Sequence, residues 1–358
     1  MTPSFWKDKR VFLTGHTGFK GAWLSLWLAQ MGARVYGYAL PPSTLPSLFE
    51  ICGIEAAISL STIADIRDLG RLRAAMTACC PEIVIHMAAQ PLVRESYDNP
   101  VSTYSTNVMG TVHVLEAMRD QPQVRACVIV TSDKCYENKE WVWGYRETDR
   151  LGGRDPYSNS KACAEMVVDS YRNSFFNGDG KTAIASARAG NVIGGGDWSR
   201  DRLVPDILRG CFSPCEEVML RNPEAVRPWQ HVLEPLSGYL LLAEKLYLGG
   251  KGFQEGWNFG PDTNQQQPVK KVAEAVVDAL RRGKIIVRHD PDAPHEANLL
   301  QLDCNKARTE LGWAPKLGFA QTIAYTADWY AAWHNGTDMN DFTGAQIRQY
   351  AALGADHL

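Results

Sequence analysis

The sequence lacks the long apolar runs and paired cysteines that mark membrane and secreted proteins. No stretch of its 358 residues approaches the length of about 18 uncharged apolar positions that a membrane span requires. The first ten residues have no apolar core, which argues against a signal peptide. Nine cysteines, an odd number, occur without a Cys-x-x-Cys pair. We therefore expect free thiols in a reducing, cytoplasmic compartment.

A large excess of charge of either sign is also missing. Lys plus Arg number 37 and Asp plus Glu number 40, so the formal net charge is −3 and gives no electrostatic footprint for nucleic acid. No second ligand pair follows Cys211 and Cys215 at a zinc spacing, and we predict no metal site. Apolar residues at 45% and charged residues at 22% are ordinary for a folded globular protein. The length suggests about two domains.

Short apolar runs alternate with amphipathic segments through the first half of the chain. Strands are predicted at 9–14, 34–38, 58–60, 83–87, 126–131 and 182–187. Helices are predicted between them, including one at 101–119 and one at 157–176. This alternation favours an α/β fold with a doubly wound, mostly parallel sheet. Beyond residue 191 prolines and glycines interrupt the pattern, which predicts a smaller, irregular C-terminal lobe and a ligand cleft between the lobes.

A glycine-rich turn joins the first predicted strand to the first predicted helix. Gly15, Gly18 and Gly21 follow the pattern G-x-x-G-x-x-G, which differs from the commoner G-x-G-x-x-G. Glycines in such a turn permit unusual backbone angles, close approach to a ligand, and close packing of helix and strand. The helix that follows presents free N–H groups and a positive dipole end. The turn is therefore typical of a site for dinucleotide phosphates, although a tight turn without a ligand is the alternative.

The end of the second predicted strand has no acidic residue. Tyr38, Ala39 and Leu40 stand where a carboxylate would hold the ribose diol of NAD, or an arginine the 2′-phosphate of NADP. Lys20 is the nearest cation in the proposed site. These residues by themselves leave the choice between NAD and NADP open.

Tyr157 and Lys161 lie four positions apart in a predicted helix, so they share one helical face. An ammonium group beside a phenol favours the phenolate. We therefore expect Lys161 to lower the pKa of Tyr157 from about 10 toward neutrality, which would make Tyr157 a base. Surface pairs with this spacing arise by chance, but the glycine turn upstream favours the catalytic interpretation.

Together these motifs resemble the extended short-chain dehydrogenase/reductase family. The resemblance runs from Arg10 to about Pro315. Its further supports are Asp65-Ile66, His86 to Gln90, Asn107 to Thr111, Arg188 to Gly194, Asn258 to Gly260, and Leu311 to Pro315. The resemblance implies a Rossmann-type sheet, bound NAD, and assembly as a homodimer or homotetramer.

Within that family, the segment Ser132-Asp133-Lys134 resembles the catalytic stretch of nucleotide-sugar 4,6-dehydratases. With the run from Gly190 to Trp198, it implies CDP-glucose as the substrate. The implied products are CDP-4-dehydro-6-deoxyglucose and water, made for bacterial surface polysaccharides such as the O-antigen of lipopolysaccharide. The implied reaction oxidises C4, eliminates water across C5 and C6, and returns the hydride to C6, so that NAD is recycled.

Three alternatives compete with this interpretation. An NAD-dependent 4-epimerase would need the glycine turn and the Tyr157/Lys161 pair but no acid–base pair at Asp133 and Lys134. A dehydratase for another nucleotide-glucose would share every motif. A non-catalytic sensor that binds the cofactor is disfavoured, because Ser132, Tyr157 and Lys161 are all intact.

The resemblance makes five residues catalytic. Tyr157, assisted by Lys161, takes the proton of the 4-hydroxyl, and Ser132 hydrogen-bonds to the same oxygen. Asp133, held neutral by burial, protonates the departing 6-hydroxyl. Lys134 replaces the family's glutamate, and we expect it to remove the C5 proton if its pKa falls by about three units. Otherwise Lys134 stabilises the enolate electrostatically, and another group or a water takes the proton.

The resemblance also assigns the binding residues. The cofactor would contact Gly15, Thr17, Gly18, Phe19, Lys20, Gly21, Asp65, Ile66, Ala88, Ala89, Gln90, Asn107, Tyr157 and Lys161. The substrate would contact Arg188, Asn191, Asp197, Trp198 and Arg227. Among these, Asp65 and Ile66 would hold the adenine, and Arg227 would clamp the diphosphate.

Domain boundaries follow from the same resemblance. The dinucleotide-binding domain is predicted at 1–188, with a return at about 228–260. The nucleotide-sugar-binding lobe is predicted at 189–227 and 261–358. We expect Asp197 and Trp198, within this lobe, to help form the cytosine pocket, and Asn107 to support a proton path from the active site.

Overall fold

The fold is given by a computed structural model that describes residues 1–178, 180, 182–262, 265–288 and 299–354. Its strands are β1 (Arg10–Thr14), β2 (Arg34–Ala39), β3 (Leu60–Ile63), β4 (Ile83–His86), β5 (Ala126–Val130), β6 (Ala183–Ala189), β7 (Val192–Ile193), β8 (Glu217–Leu220), β9 (Val226–Pro228), β10 (Gln230–His231), β11 (Gly256–Phe259), β12 (Gln266–Pro268) and β13 (Lys284–Val287). Its α-helices are α1 (Phe19–Gln30), α2 (Leu48–Ile51), α3 (Ile54–Ala57), α4 (Leu69–Cys79), α5 (Val93–Asp98), α6 (Pro100–Tyr104), α7 (Gly110–Arg119), α8 (Pro156–Phe175), α9 (Leu203–Cys211), α10 (Leu233–Gly249), α11 (Val269–Leu280), α12 (Phe319–His334) and α13 (Met339–Ala352).

Seven parallel strands form the central sheet in the order β11-β6-β5-β4-β1-β2-β3. Every residue of β4, β5 and β6 is buried, as expected for strands covered by helices on both faces. The prediction of a doubly wound, Rossmann-type α/β fold is confirmed. The strand order changes direction between β1 and β4, and a ligand crevice in such sheets lies at the carboxyl ends of the strands at this point.

The helix predicted at 101–119 is interrupted in the structure. It begins as α6, passes through a π-helical turn at Ser105–Met109, and continues as α7. Asn107 lies within the π-helical turn and is buried. Such turns are rare and often mark functional positions. Apolar spacing could not reveal the interruption, because it fits a continuous helix equally well.

The remainder of the chain forms smaller elements beside the large sheet. Strands β8 and β13 pair in parallel, β9 and β12 pair antiparallel, and β7 and β10 form a short parallel pair. The chain returns to the large sheet through α10, which packs against β5 and β6, and through β11, which pairs with β6. The division into residues 1–188 plus about 228–260, and 189–227 plus 261–358, stays a prediction.

Several global expectations can be compared with the described residues. All nine cysteines are free thiols, as their odd number predicted. In the part of the chain that the structure describes, no helix has the length and apolar character needed to cross a membrane. Over the same described residues, no group of three or more His, Cys, Asp or Glu side chains could hold a metal ion.

Candidate active site

The glycine turn lies directly after β1, at the change in strand order. Gly15 has a φ of +79°, and a Cβ at this position would lie 2.8 Å from the backbone nitrogen of Ala88. A Cβ on Gly21 would lie 2.0 Å from the carbonyl oxygen of Gly15. Both positions therefore require glycine. No side chain caps the start of α1 at Phe19, so its positive end is open to an anionic ligand.

The segment after β4 lies opposite the glycine turn across the crevice. The backbone nitrogen of Ala88 donates to Thr14 Oγ1 at 3.1 Å, and Ala88 and Ala89 are partly exposed. The side chain of Gln90 is occupied within its own loop, where Oε1 accepts from the backbone nitrogen of Leu92 at 2.5 Å. On the other side of the turn, Thr17 Oγ1 donates to the carbonyl of Leu40. These bonds fix the walls of the crevice.

Asn107 holds the segment after β4 against the catalytic helix. Its Oδ1 accepts from the backbone nitrogen of Gln90 at 2.8 Å, and its Nδ2 donates to the carbonyl of Gln90 and to Ser160 Oγ. Asn107 is 2% exposed, so its amide is used inside the protein. The structure thus gives Asn107 a positioning role next to Lys161, whereas we expected a cofactor contact and a proton path.

Asp65 and Ile66 follow β3 at the rim of the crevice. The Asp65 carboxylate accepts from the guanidinium of Arg67 at 2.5 Å and from its backbone nitrogen at 2.8 Å. The hydrogen bond from the Arg67 side chain lowers the pKa of Asp65. Ile66 is buried, and its carbonyl lies 3.1 Å from His113 Nδ1. A charged carboxylate stands where the resemblance places the adenine contact.

The segment after β5 brings the predicted acid and lysine into direct contact. Ser132 Oγ donates to Asp133 Oδ1 at 2.9 Å, and Lys134 Nζ lies 3.3 Å from the same oxygen. Asp133 is 1% exposed, whereas the Lys134 side chain is 31% exposed. A Cβ on Gly190 would lie 2.9 Å from Asp133 Oδ2, so glycine at 190 leaves room for the carboxylate. Asp133 and Lys134 therefore form an ion pair between a buried carboxylate and a partly exposed lysine.

Tyr157 stands at the start of α8 beside this pair and is 8% exposed. Burial raises the pKa of Tyr157, while the charge of Lys134, a hydrogen bond with Ser132 and the charge of Arg202 act to lower it. We expected Lys161 to make the phenol acidic. Instead, Lys161 Nζ donates to the carbonyl of Val130 at 3.4 Å, and burial lowers its own pKa to about 8. The net direction of the Tyr157 pKa is opposite to our expectation, because desolvation outweighs the neighbouring cations.

Two residues outside the predicted set belong to this cluster. Arg202, just before α9, donates from Nη1 to the buried Asp197 at 2.9 Å, and its charge acts on Tyr157. Tyr239 of α10 accepts a hydrogen bond from Lys20 Nζ at 3.0 Å. Ser237 and Tyr247 of α10 also carry hydroxyls, so the local sequence does not single out Tyr239. Nothing in the local sequence distinguishes Arg202.

Lys20 extends from the glycine turn toward the catalytic residues, not toward the end of β2. Its electrostatic neighbours are Lys161, Arg202 and Asp133. Lys20, Lys161 and Arg202 thus belong to one electrostatic cluster with Asp133, whose carboxylate also contacts Lys134. This excess of basic groups favours a ligand that carries negative charge.

Arg188, predicted to contact substrate, lies in β6 and pairs with Glu165 of α8. Its Nη2 donates to Glu165 at 2.7 Å, and its Nη1 donates to Tyr136 Oη at 2.7 Å and to the carbonyl of Glu147 at 3.0 Å. It is 5% exposed. Both terminal nitrogens are thus occupied within the protein, and the expected substrate contact stays a prediction. Sequence position could not show the pairing with Glu165.

The remaining predicted substrate residues divide into two groups. Asp197 is held by Arg202 and by the backbone nitrogen of Ser199 at 3.0 Å. Trp198 packs on Trp333 with ring centroids 4.5 Å apart. These are contacts with other residues of the protein, and the expected part of Asp197 and Trp198 in a cytosine pocket stays a prediction. Asn191 and Arg227 are partly exposed. Their chain neighbours Gly190 and Pro228 line a small cleft together with Gly260, Pro261, Asp262, Gln266, Gln301 and Leu302.

Comparison with known proteins gives a consistent result. Residues 12–326 match the family model described as GDP-mannose 4,6 dehydratase. The chain is 53% identical over 351 residues to a CDP-glucose 4,6-dehydratase of Salmonella typhimurium, and the alignment covers 97% of each chain.

Solved structures share the fold at lower identity. A dTDP-glucose 4,6-dehydratase from Bacillus anthracis in complex with NAD superposes with a TM-score of 0.76 at 21% identity, covering 92% of this chain and 99% of that one. A UDP-glucose 4-epimerase from Stenotrophomonas maltophila with bound NAD gives a TM-score of 0.78 at 22% identity, covering 92% and 100%. The fold alone therefore does not separate dehydratases from epimerases.

Proposed function

The chain belongs to the family of GDP-mannose 4,6-dehydratases, and from this premise we propose that it converts CDP-glucose to CDP-4-dehydro-6-deoxyglucose and water. The observation that carries the proposal is the contact of Ser132, Asp133 and Lys134 beside the buried phenol of Tyr157. An epimerase needs the phenol but no acid next to it. The likeness to the Salmonella dehydratase supports CDP-glucose over other nucleotide sugars.

The glycine turn fits the pyrophosphate of a dinucleotide. Gly15 and Gly21 leave no space for a Cβ, and the start of α1 has no side-chain cap to compete with a phosphate. Asp65 and Ile66 would hold the adenine end, with Ala88 and Ala89 on the facing wall. When bound, NAD supplies the acceptor for the hydride that leaves C4 and the donor for the hydride that reaches C6. The NAD-bound neighbours support NAD, although the end of β2 lacks a carboxylate.

Proton removal from the 4-hydroxyl falls to Tyr157. Ser132, which shares a hydrogen bond with the phenol, is placed to bind the same sugar oxygen. Burial raises the pKa of Tyr157, so its phenolate depends on positive charge nearby. Lys134 and Arg202 provide that charge in the structure. Lys161 keeps its predicted place one helical turn away and stays a proposed catalytic residue.

Loss of water requires an acid at the 6-hydroxyl, and we assign this role to Asp133. The carboxyl is enclosed by protein, and Ser132 orients it through a 2.9 Å hydrogen bond. Lys134 lies against the same oxygen at 3.3 Å, so its ammonium stabilises the carboxylate once the proton has left. The same charge stabilises the enolate that forms next to C4.

Incubation of the purified protein and NAD with CDP-, dTDP-, UDP- and GDP-glucose tests the function. We expect mass spectrometry to show loss of one water from CDP-glucose and much slower loss from the other three. Conversion of any of them to an isomer of unchanged mass would establish an epimerase instead. Faster loss of water from another nucleotide-glucose would change the proposed substrate but leave the proposed reaction, dehydration, unchanged.

We also propose that the protein forms a homodimer or homotetramer. The adjoining α6, π-helical turn and α8 expose Val101 (81%), Met109 (46%) and Met166 (56%). Exposed apolar side chains on neighbouring elements favour a protein contact. Sedimentation of the wild type against a Val101→Lys/Met166→Lys variant tests this, with the variant expected to be monomeric.

The free thiols are consistent with the proposed reducing, cytoplasmic location.

A further inference from the structure

Lys20 is a buried amine that the glycine turn does not need for its shape. Although part of the residue is exposed, its ammonium end is enclosed by protein. Its nitrogen donates to Tyr239 Oη at 3.0 Å and lies 5.1 Å from the centre of that ring. Within the described ranges, no carboxylate lies within ion-pair distance of Lys20. A buried cation without a counter-ion is costly, so this environment favours the uncharged amine.

The surroundings of Lys20 reinforce that preference. Burial lowers the pKa of Lys20 to about 7, and the positive charges of Lys161 and Arg202 act in the same direction. Asp133 is the neighbouring group that opposes them. Tyr239 is fully buried and interacts electrostatically with both Tyr157 and Asp133. Lys20 and Tyr239 therefore belong to the same enclosed cluster as the proposed acid and base.

Lys134, the lysine that we expected to act as the C5 base, is placed differently. Its nitrogen lies 3.3 Å from the carboxylate of Asp133, and an ion pair of this kind favours the ammonium form. Its side chain is also 31% exposed. Of the two lysines near Asp133, Lys20 is the one whose environment favours a neutral amine.

We propose that Lys20 is a further catalytic residue, the amine that removes the C5 proton of the 4-keto sugar. This rests on the proposed dehydration. The electron pair of the C5–H bond forms the C5–C6 double bond, and a new N–H bond forms on Lys20. The C6–O bond breaks as Asp133 gives the departing oxygen the proton that Tyr157 took from the 4-hydroxyl, passed on through Ser132, which hydrogen-bonds to both groups. When the hydride reaches C6, the ammonium of Lys20 returns a proton to C5, so Tyr157, Asp133 and Lys20 all regain their starting protonation states.

Tyr239 keeps the Lys20 amine in place through both halves of this cycle. A phenol oxygen can accept a hydrogen bond from the ammonium and can donate one to the amine. It can therefore remain bonded to Lys20 in either protonation state. Tyr239 acts as a positioning residue and does not itself exchange a proton with the sugar.

Single-turnover kinetics of Lys20→Met and Lys20→Arg in D₂O test the proposal. At saturating NAD, formation of reduced NAD should outpace dehydration in both variants, and product carrying deuterium at C5 should appear roughly 10²–10⁴-fold more slowly than in the wild type. Arginine keeps the charge but cannot be deprotonated in a protein. Recovery of dehydration by Lys20→Arg to within tenfold of the wild type would assign an electrostatic role and overturn the proposal. Rapid C5 deuteration by Lys20→Met would do the same.

NMR titration of ¹³C-methylated lysines gives a readout without turnover, with Lys20→Met identifying the signal. Lys20 should titrate near pH 7, and Tyr239→Phe should move its midpoint. A Lys20 that stays protonated above pH 9 would contradict the base role even if the Lys20→Met variant proved unstable. Failure of the proposed function is distinguishable, because the wild type itself would then release no water from any nucleotide-glucose.

Discussion

Two charged clusters lie in succession along one face of α8, and they differ in how their charges are satisfied. The catalytic cluster comprises Lys20, Asp133, Lys134, Tyr157, Lys161, Arg202 and Tyr239. The anchor cluster comprises Thr131, Tyr136, Glu165, Ser186 and Arg188. In the anchor cluster, Glu165 accepts hydrogen bonds from Thr131, Ser186 and Arg188. In the catalytic cluster, basic groups outnumber acidic ones, and the hydrogen-bond partner of Lys20 among the described residues is a phenol.

The way the charges are satisfied distinguishes a cluster that supports the fold from one that is suited to ligand binding. Burial alone would raise the pKa of Glu165, but its three hydrogen-bond partners lower it, so the carboxylate is fully compensated by protein. Glu165 follows Tyr157 and Lys161 at successive steps of four along α8, so the anchor cluster holds the catalytic helix to the sheet. A compensated cluster supports the fold. An uncompensated cluster with excess basic groups is suited to an anionic ligand.

The largest effect is expected for Tyr157→Phe. Removal of the phenol oxygen eliminates the base for the 4-hydroxyl, so kcat should fall roughly 10²–10⁴-fold. The free energy of unfolding should change by less than about 1 kcal/mol, because the ring and its packing remain. Steady-state dehydration and urea unfolding measure the two quantities. A variant that loses stability but retains activity would show that Tyr157 belongs to the anchor cluster and not to the catalytic cluster.

Arg188→Met should show the opposite pattern to Tyr157→Phe, with its main effect on the free energy of unfolding and not on kcat. It leaves Glu165 buried without its cation, and we expect the free energy of unfolding to fall by about 3–5 kcal/mol. The double variant Glu165→Gln/Arg188→Met is the matched control, and it should recover part of the loss because no unpaired charge remains. Urea unfolding of both variants measures this. A near-normal stability with a raised KM for CDP-glucose would restore Arg188 as a substrate residue.

Lys134→Met should slow dehydration by roughly 10²–10³-fold, the size expected when one electrostatic contact to developing charge is removed. Formation of reduced NAD should persist at a lower rate, because Arg202 still supplies positive charge to Tyr157. Stopped-flow absorbance follows the first step and mass spectrometry follows the second. Lys7→Met, at an exposed lysine before β1, is the control and should behave as the wild type. Release of water at the normal rate would remove Lys134 from the mechanism.

A smaller effect is expected in the pH dependence of the free energy of unfolding, to which the lysines of the catalytic cluster contribute. In the folded protein the pKa of Lys20 is about 7 and that of Lys161 about 8, both below their ordinary value. The unfolded chain therefore holds more protons above pH 7, and stability should rise with pH from 7 toward 9. The slope should be at most about 1.4 kcal/mol per pH unit for each group. Urea unfolding across this range should show a shallower slope in Lys20→Met, and an unchanged slope would contradict the shift.

Local sequence predicted the parts of the site that lie on one element. The glycine turn and the Tyr157/Lys161 spacing required only a strand, a turn and a helix. Local sequence did not predict the features of the site that depend on tertiary packing. The π-helical turn at Asn107, the partner of Arg188 and the direction of the Lys20 side chain all depend on residues far away in sequence. The pKa of Tyr157 was misjudged for the same reason, since its burial is set by surrounding elements.

The most direct test of the account follows the label from CDP-glucose deuterated at C4. The account predicts a product that is lighter by one water and carries that deuterium at C6, because the hydride leaves one carbon and reaches the other within the same site. A product of unchanged composition, with the label again at C4, would contradict dehydration and identify the chain as an epimerase.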